Sequence, residues 1–394
     1  MDYGMTPELE EFRQEVRAFV AANKPAIAPK AGVRSAESVE ELALLKEWTG
    51  KLFAAGYLGG DWPEQYGGSG SIHSAERSVV VGEEAARARA PLATGAGNLV
   101  AHALFDFGTE AQRQRYLPGI RSGQEIFCQL FSEPSSGSDL ASLRTKAVRT
   151  ENGFRISGQK VWTTHGQWAD FGYLLARTDP DAPKHKGISA FIIDMRTPGV
   201  DVRPLREMTG TSDFNEVFLD NVELPSEALI GEPGQGWKIA NSSLGHERSG
   251  VAASAVRLQQ NVHALKDLAK NVTRGGRPAI EDALVQDRLG QLTASVAALS
   301  ALVYANISRW STKTERAYDA PMAKLMFSEI GVEIERFALE LSGQAGILVE
   351  GDPAAIENGR WQDGFLYARA YTIAGGSSEI MRNIIAERGL GLPR

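Results

Sequence analysis

The hydrophobic period of this chain changes twice, and that change limits the folds open to it more than any other feature. Apolar residues recur at helical spacing through residues 1–123, with Thr109 as a predicted helix N-cap. Residues 124–234 alternate apolar and polar side chains between short turns, and residues 235–394 return to the helical period. Because no long helix separates the strands of the middle region, its sheet is predicted to be antiparallel. The sequence therefore predicts an α+β protein of three domains with these boundaries.

One turn of the middle region is predicted in detail. The run TKAVRT is followed by Glu151-Asn152-Gly153 and then by FRISGQKVWTT, so two alternating strands flank an Asn-Gly pair. Asn-Gly supplies the positive φ angles of a type I′ turn, and the pattern therefore predicts a β-hairpin.

Charge and cysteine content exclude several classes of protein. The formal net charge is −7 and no cluster of Lys and Arg forms a basic stripe, so neither nucleic acid nor an anionic membrane is an expected partner. Cys128 is the only cysteine, and the 6 histidines lack metal-binding spacing, so we expect no disulfide within the chain and no metal. The start of the chain is acidic where a signal peptide would be basic, and the apolar run at 295–307 is too short to span a bilayer. We therefore expect a cytoplasmic protein without membrane insertion.

Common nucleotide-binding and hydrolase motifs are absent from the sequence, and three weaker motifs remain. In FCQLFSEPSSGSDLAS (127–142), serines and a glycine offer N–H groups and hydroxyls to an anion such as a pyrophosphate, although a plain serine-rich turn has the same composition. In KVWTTHG (160–166), Trp162 and its threonines could flank a flat heteroaromatic ring, and the alternative is a core tryptophan. In the C-terminal GGSSEI, Ser377 or Ser378 is predicted to cap a helix whose N-terminus suits a phosphate.

Together and in this order, the motifs resemble those of the acyl-CoA dehydrogenase family over essentially the whole chain. SEPSSGSDL (132–140) is similar to the family's T-E-P-x-A-G-S-D, KVWTTHG to its K-x-W-I-T-N-G, and GGSSEIMRNIIAERGLG (375–391) to its G-T-S-E-I-Q-R-x-x-I-A-R. The resemblance implies an N-terminal α-helical domain, a central antiparallel β-barrel and a C-terminal four-helix bundle. It also implies FAD between the last two domains, in contact with a neighbouring subunit.

The resemblance assigns candidate FAD contacts along these motifs. It implies that the flavin ring lies against Trp162, with Thr164 hydrogen-bonding near its N5 atom and Ser132 near its pyrimidine edge. The other implied contacts are the backbone of Gln129 and Phe131 along the ring, Gly137 and Ser138 at the pyrophosphate or the pantetheine arm of the substrate, and Ser377 and Glu379 at the pyrophosphate and ribose.

The adenine end of FAD is where the chain first departs from the family. Many members hold it with the Arg and Phe of an R-x-x-F-G segment, and the corresponding stretch here, KNVTRGGRPAIED (270–282), has no phenylalanine. Arg274 is the candidate substitute. Gly343 opens a GQAG turn that resembles the family's G-G-N-G near the same part of FAD, with Glu340 where a glutamine is expected.

The position of the catalytic base is the second departure. Most members carry a glutamate directly before the glycine of G-T-S-E, where this chain has Gly375, which cannot take a proton. A minority, typified by isovaleryl-CoA and long-chain acyl-CoA dehydrogenases, carry the base on the first long C-terminal helix directly before an arginine, as Glu247 precedes Arg248 in LGHERSG. We therefore predict that Glu247 removes the α-proton of a thioester. The alternative is a surface carboxylate beside its neighbouring arginine.

A bulky acyl thioester is the predicted substrate. Ala374 and Gly375 leave volume where other members carry larger side chains, which favours a branched or cyclic acyl group. With Arg248 and Ser138 they are the predicted substrate-binding residues, and the carrier of the acyl group is CoA or acyl carrier protein.

The resemblance also implies partner proteins. It implies an electron-transfer flavoprotein as the electron acceptor and a homo-oligomer, either a dimer or a tetramer. Two other functions stay open. One is a non-catalytic or half-site subunit of a heteromeric dehydrogenase with a related chain, which the missing phenylalanine favours and Glu247 opposes; the other is a flavin oxidase or oxygenase on the same fold.

Overall fold

In a computed structural model the chain forms two compact units. The helical unit comprises residues 1–32, 74–90 and 248–394, and the sheet unit comprises residues 33–73 and 91–247. The structure describes residues 6–28, 30–32, 34–68, 74–91, 93, 95–245 and 250–393.

The sheet unit is built on one sheet of 8 strands. The strands are Phe127–Leu130 (β1), Lys146–Arg149 (β2), Gly153–Lys160 (β3), Phe171–Arg177 (β4), Ile188–Asp194 (β5), Val200–Leu205 (β6), Phe214–Pro225 (β7) and Leu229–Ile230 (β8). Their order is β6-β7-β3-β2-β4-β5-β8, and β1 also pairs with β4. The two edge strands of this order, β6 and β8, do not pair with each other within the described residues. The sheet is therefore open, and the predicted closed β-barrel is wrong.

The prediction of an antiparallel sheet fails around β4. Both β1 and β2 run parallel to β4, whereas the remaining pairs of this sheet are antiparallel. The segment at 131–145 carries the chain back from the end of β1 to the start of β2 without reversing its direction, which strand alternation alone cannot reveal. In β4, FGYLLA is buried throughout, as is typical of a strand covered on both faces.

The hairpin of β2 and β3 is confirmed, but its turn differs from the prediction. Arg149 pairs with Phe154, so Glu151 and Asn152 are the central residues of the turn. Neither of these two residues has a positive φ, and Gly153 has a φ of 156°. The register of the strands therefore places the Asn-Gly pair one position too late for a type I′ turn.

Helices precede and follow the sheet in the chain. They are Pro7–Asn23 (α1), Val39–Ala54 (α2), Ala75–Arg87 (α3), Gly97–Phe107 (α4), Glu110–Arg121 (α5), Gly236–Gly245 (α6), Gly250–Asn271 (α7), Ala283–Ser311 (α8), Asp319–Ser342 (α9), Arg360–Tyr371 (α10) and Ser378–Ile384 (α11). Two short strands, Thr273–Arg274 (β9) and Arg277–Pro278 (β10), form a hairpin between α7 and α8. Thr109 caps α5, and Gln112 completes a capping box with it, so the predicted N-cap is confirmed.

The core of the helical unit is formed mainly by α7, α8 and α9. By length and composition α8 is apolar enough to cross a membrane. Its apolar stripe is instead buried in this core, with Asp282 capping its N-terminus. The buried residues of the stripe are Val285, Leu289, Leu292, Val296, Leu299 and Val303. The helical C-terminal region and the helical N-terminal region are therefore as predicted.

Candidate active site

The turn that follows β3 carries an exposed tryptophan. Trp162 has a backbone φ of 60° and is 60% exposed. Its ring packs edge-to-face against Phe214, with the two ring centroids 5.9 Å apart. Trp162 is thus not the core tryptophan that the sequence also allowed. An exposed indole braced from one side can stack on a flat heteroaromatic ring.

The two threonines after Trp162 are placed differently from each other. The backbone of Thr163 exchanges hydrogen bonds with that of Asn215, at N···O distances of 3.1 and 3.0 Å. The Thr163 hydroxyl is buried and has no hydrogen-bond partner among the described residues. Such an orphaned hydroxyl is uncommon and fits a site that a bound polar molecule completes. Thr164, the predicted contact of the flavin N5 atom, is half-buried in the same turn.

The predicted ring contacts of the first motif lie on β1 and directly after it. Gln129 of β1 is half-buried, and Phe131 is buried with its ring packed against Tyr173. The carbonyl of Ser132 accepts a hydrogen bond from the N–H of Val161 at 3.0 Å. The structure therefore brings residues 129–132 beside the start of the Trp162 turn.

A buried ion pair, which sequence reasoning missed as a site feature, links the first two motifs. The Nζ of Lys160 donates to the Glu133 carboxylate at 2.9 Å and to the Phe131 carbonyl at 3.0 Å. The backbone N–H groups of Arg144 and Thr145 donate to the same carboxylate at 2.6 and 2.8 Å. Burial lowers the pKa of Lys160 to about 8, whereas Glu133 keeps a pKa below its ordinary value despite burial because of Lys160 and these hydrogen bonds. The only sequence signal for the pair is that each motif contains one of its two residues.

The serine-rich loop ends in an open tip. Gly137 and Ser138 are exposed, and a side chain at Gly137 would meet no atom within 4 Å. Behind the tip, the Ser136 hydroxyl donates to the Asp139 carbonyl at 2.7 Å, and the Asp139 carboxylate pairs with Lys184 at 3.0 Å. Open space beside an ordered turn fits an elongated group such as a pyrophosphate or a pantetheine arm.

The turn before α11, in the helical unit, is also open. Ala374 and Gly375 are exposed, and Gly375 has a φ of 67°, with no atom within 4 Å of the place that a β-carbon would take. Lys324 of α9 holds the turn by donating to the Gly376 carbonyl at 2.6 Å. Ser377 is the residue that caps α11. The turn therefore leaves open space beside Gly375.

The remaining predicted cofactor residues are spread over the helical unit. Glu379 is exposed in the first turn of α11, and Arg274 is exposed in the hairpin of β9 and β10, where it pairs with Asp282 at 3.3 Å. Gly343 ends α9 with a φ of 58°. Since Lys324 lies near the opposite end of α9, about 27 Å of helix separates Gly343 from the turn that Lys324 holds, at about 1.5 Å per residue. One chain therefore does not bring Gly343 and the α11 turn together.

Glu247 and Arg248 lie outside the described residues. They belong to the segment between α6, which ends at Gly245, and α7, which begins at Gly250. Their assignment as catalytic base and substrate-binding residue stays a prediction.

Models of three domains of one family match nearly the whole chain. They are described as the N-terminal, middle and C-terminal domains of acyl-CoA dehydrogenase, and they match residues 6–124, 128–222 and 234–390. Acyl-CoA dehydrogenase IpdE1 of Mycobacterium tuberculosis is 37% identical over 395 residues, which cover 98% of each chain. Acyl-CoA dehydrogenase FadE34 of the same organism is 39% identical over 376 residues, which are 93% of this chain and 50% of that longer protein.

Solved structures show the same likeness. A steroid ACAD, Tcur3481-Tcur3483, matches with a TM-score of 0.88 and 31% identity over the full length of both chains. The ChsE4-ChsE5 complex from Mycobacterium tuberculosis matches with a TM-score of 0.86 and 32% identity, again over both full lengths. The chain therefore belongs to the acyl-CoA dehydrogenase family, whose members are FAD-dependent oxidoreductases that dehydrogenate acyl-CoA thioesters.

The geometry of the sheet unit fits the flavin end of FAD. An exposed indole at Trp162 and an orphaned hydroxyl at Thr163 lie in consecutive positions, and the Lys160–Glu133 pair fixes the strand ends that flank them. A flat ring with polar edges requires these two kinds of contact, stacking and hydrogen bonding.

Proposed function

We propose that this chain dehydrogenates a bulky acyl thioester, one with a branched or cyclic acyl group, between its α and β carbons. The open turn at Ala374 and Gly375 carries the proposal, because substituents near these carbons need volume that larger side chains would fill. The similar structure described as a steroid ACAD supports a ring-bearing acyl group. The thioester is carried by CoA or by acyl carrier protein.

Each residue of the proposed site has a separate role in the reaction. FAD, when bound, would supply the acceptor for the hydride that leaves the β-carbon of the thioester. Glu247 takes the α-proton, since a carboxylate that the bound acyl group desolvates has a raised pKa and is a better base near neutral pH. Arg248 and Ser138 bind the substrate, and Trp162 orients the flat ring by stacking.

The other proposed FAD contacts follow the motifs. In the sheet unit they are Gln129, Phe131, Ser132, Gly137, Ser138 and Thr164, and in the helical unit they are Arg274, Gly343, Ser377 and Glu379. The proposed domain boundaries are those of the periodicity, at residues 123 and 234.

A second chain completes the FAD site in this proposal. Gly343 and the α11 turn lie at opposite ends of α9, so contacts of both with one FAD require residues from two copies or from a related subunit. The similar structures have two-component names, Tcur3481-Tcur3483 and ChsE4-ChsE5. These names support an FAD site completed by a related subunit. We further propose an electron-transfer flavoprotein as the acceptor and the cytoplasm as the compartment.

One observation favours a second candidate function, that of a half-site subunit without its own catalysis. Arg274, the predicted contact of the adenine end on the β9–β10 hairpin, is paired with Asp282 rather than left for a ligand. Glu247 opposes this alternative.

Anaerobic bleaching of the flavin tests the proposed function. The purified protein should be yellow, and a branched or ring-bearing acyl-CoA should bleach it faster than a straight-chain acyl-CoA of equal carbon number. A yellow protein that only straight chains bleach would contradict the substrate class. A colourless protein that gains flavin only with another subunit would favour the half-site alternative.

A further inference from the structure

Asp213 is a buried carboxylate that joins separate segments of the sheet unit. Its Oδ1 accepts the backbone N–H of Ser35 at 2.7 Å, and its Oδ2 accepts Nη1 of Arg34 at 3.0 Å and the Thr211 hydroxyl at 2.7 Å. The residue is 2% exposed. Burying a carboxylate is costly unless donors surround it, so these contacts fix residues 34–35 against residues 211–213.

The same residue is linked to the turn that carries Trp162. The Asp213 carbonyl accepts the N–H of His165 at 3.3 Å, and Oγ of Ser35 lies 2.8 Å from Nδ1 of His165. Burial lowers the pKa of His165 to about 4, so its ring is neutral near pH 7. Directly after Asp213 in the chain, Phe214 packs edge-to-face on Trp162. Asp213 is therefore linked to the Trp162 turn through His165 and to the indole itself through Phe214.

The backbone of this turn explains why it needs such links. Trp162 and His165 both have a φ of 60°, a backbone conformation that residues other than glycine rarely adopt. Conformations of this kind persist only where the surroundings over-determine them. His165 also stands where the family motif K-x-W-I-T-N-G has asparagine, and it contacts Ser35, a residue 130 positions earlier in the chain.

We propose that Asp213 is a positioning residue for Trp162 and, through it, for the flavin ring. Ser35 and His165 connect Asp213 to the turn, and Phe214 connects it to the indole. The proposal rests on the proposed placement of the flavin ring against Trp162.

Release of FAD from the flavin-loaded protein tests this role. Asp213→Asn keeps the shape of the side chain and removes the charge that holds Arg34. We expect FAD release, followed by the rise of flavin fluorescence on dilution, to become about tenfold faster or more. The visible absorption band of the bound flavin should shift in the same variant. Asp201→Asn is the matched control, because Asp201 is an exposed carboxylate that also pairs with an arginine, and it should match the wild type. Asp213→Asn with wild-type release and band, and only a lower melting temperature, would overturn the proposal.

A double-mutant cycle with Trp162→Ala separates positioning from general stability. If the effect of Asp213 passes through the indole, Asp213→Asn adds little to Trp162→Ala, whereas additive effects overturn the proposal. If Asp213→Asn does not fold, Ser35→Ala replaces it, because this variant removes the hydroxyl beside His165. FAD release and an absorption band like those of the wild type in Ser35→Ala would also overturn the proposal. If Trp162→Ala changes neither FAD release nor the absorption band, the flavin ring does not lie against Trp162. That result removes both the proposed ring placement and the positioning role of Asp213. If Trp162→Ala changes FAD release and the absorption band but Asp213→Asn and Ser35→Ala do not, only the positioning role is removed.

Discussion

Lys160 and Glu133 compensate each other's burial. Lys160→Met keeps apolar volume and leaves the Glu133 carboxylate buried with backbone donors and no opposite charge. Removing one partner of a buried ion pair typically costs about 3–5 kcal/mol. We therefore expect denaturant titration to show a loss of about 3 kcal/mol or more in the free energy of unfolding.

The exposed pair of Lys184 and Asp139 supplies the control for that variant. Their side chains are 61% and 63% exposed, and exposed pairs contribute about 0–1 kcal/mol. Lys184→Met should therefore stay close to the wild type. Equal losses in the free energy of unfolding from the two lysine variants would show that the buried Lys160 pair contributes no more stability than the exposed pair.

The folded protein is expected to lose stability in acid because His165 is buried. Burial lowers its pKa from about 6.5 to about 4, and Asp213, itself paired with Arg34, opposes this only in part. Between these values the unfolded chain binds a proton that the folded chain does not, so stability from the neutral ring is fully present above about pH 6.5 and is lost as the pH falls through about 4. The loss should reach about 3 kcal/mol in denaturant titrations across this window. His165→Asn should flatten that part of the pH profile, and an unchanged slope in this variant would contradict the assignment.

The open turn before α11 allows bulk to be tested separately from backbone strain. At the positive φ of Gly375 any side chain costs about 1–2 kcal/mol, but only a large one fills the open space. Gly375→Tyr should lower kcat/KM for branched or ring-bearing acyl-CoAs more than for short straight ones. Gly375→Ala, which adds the strain almost without the bulk, should lower both alike. The same ratio between substrates in both variants would show that Gly375 is not part of the acyl pocket.

Elements that depend on local pattern were predictable, and those that depend on distant contacts were not. The helices, the β2–β3 hairpin and the Thr109 cap follow from periodicity and capping chemistry because each involves residues close in sequence. The parallel pairing of β1 with β4 depends on where the chain returns after the serine-rich loop, which no local pattern encodes. The candidate site divides in the same way. Its motifs mark Trp162, but the contacts of Asp213 with Ser35 join residues 178 positions apart.

The whole molecule is expected to be an assembly. The separation of Gly343 from the α11 turn along α9 means that one FAD contacts both only if a second chain supplies one of them. Sedimentation velocity of the flavin-loaded protein should therefore show a dimer or a tetramer, formed with itself or with a related subunit. A monomer that retains tightly bound FAD would contradict this expectation.

The most direct test of the account is the effect of Glu247→Gln on anaerobic flavin bleaching. Glutamine keeps the size and hydrogen-bonding reach of glutamate and removes the basic oxygen, so the FAD content and the flavin spectrum should not change. Loss of a general base typically slows the step by about 10²- to 10⁴-fold, and we expect bleaching by an active acyl-CoA to slow by that factor. Bleaching within a few-fold of the wild type would contradict Glu247 as the base and would favour the half-site subunit or the flavin oxidase instead.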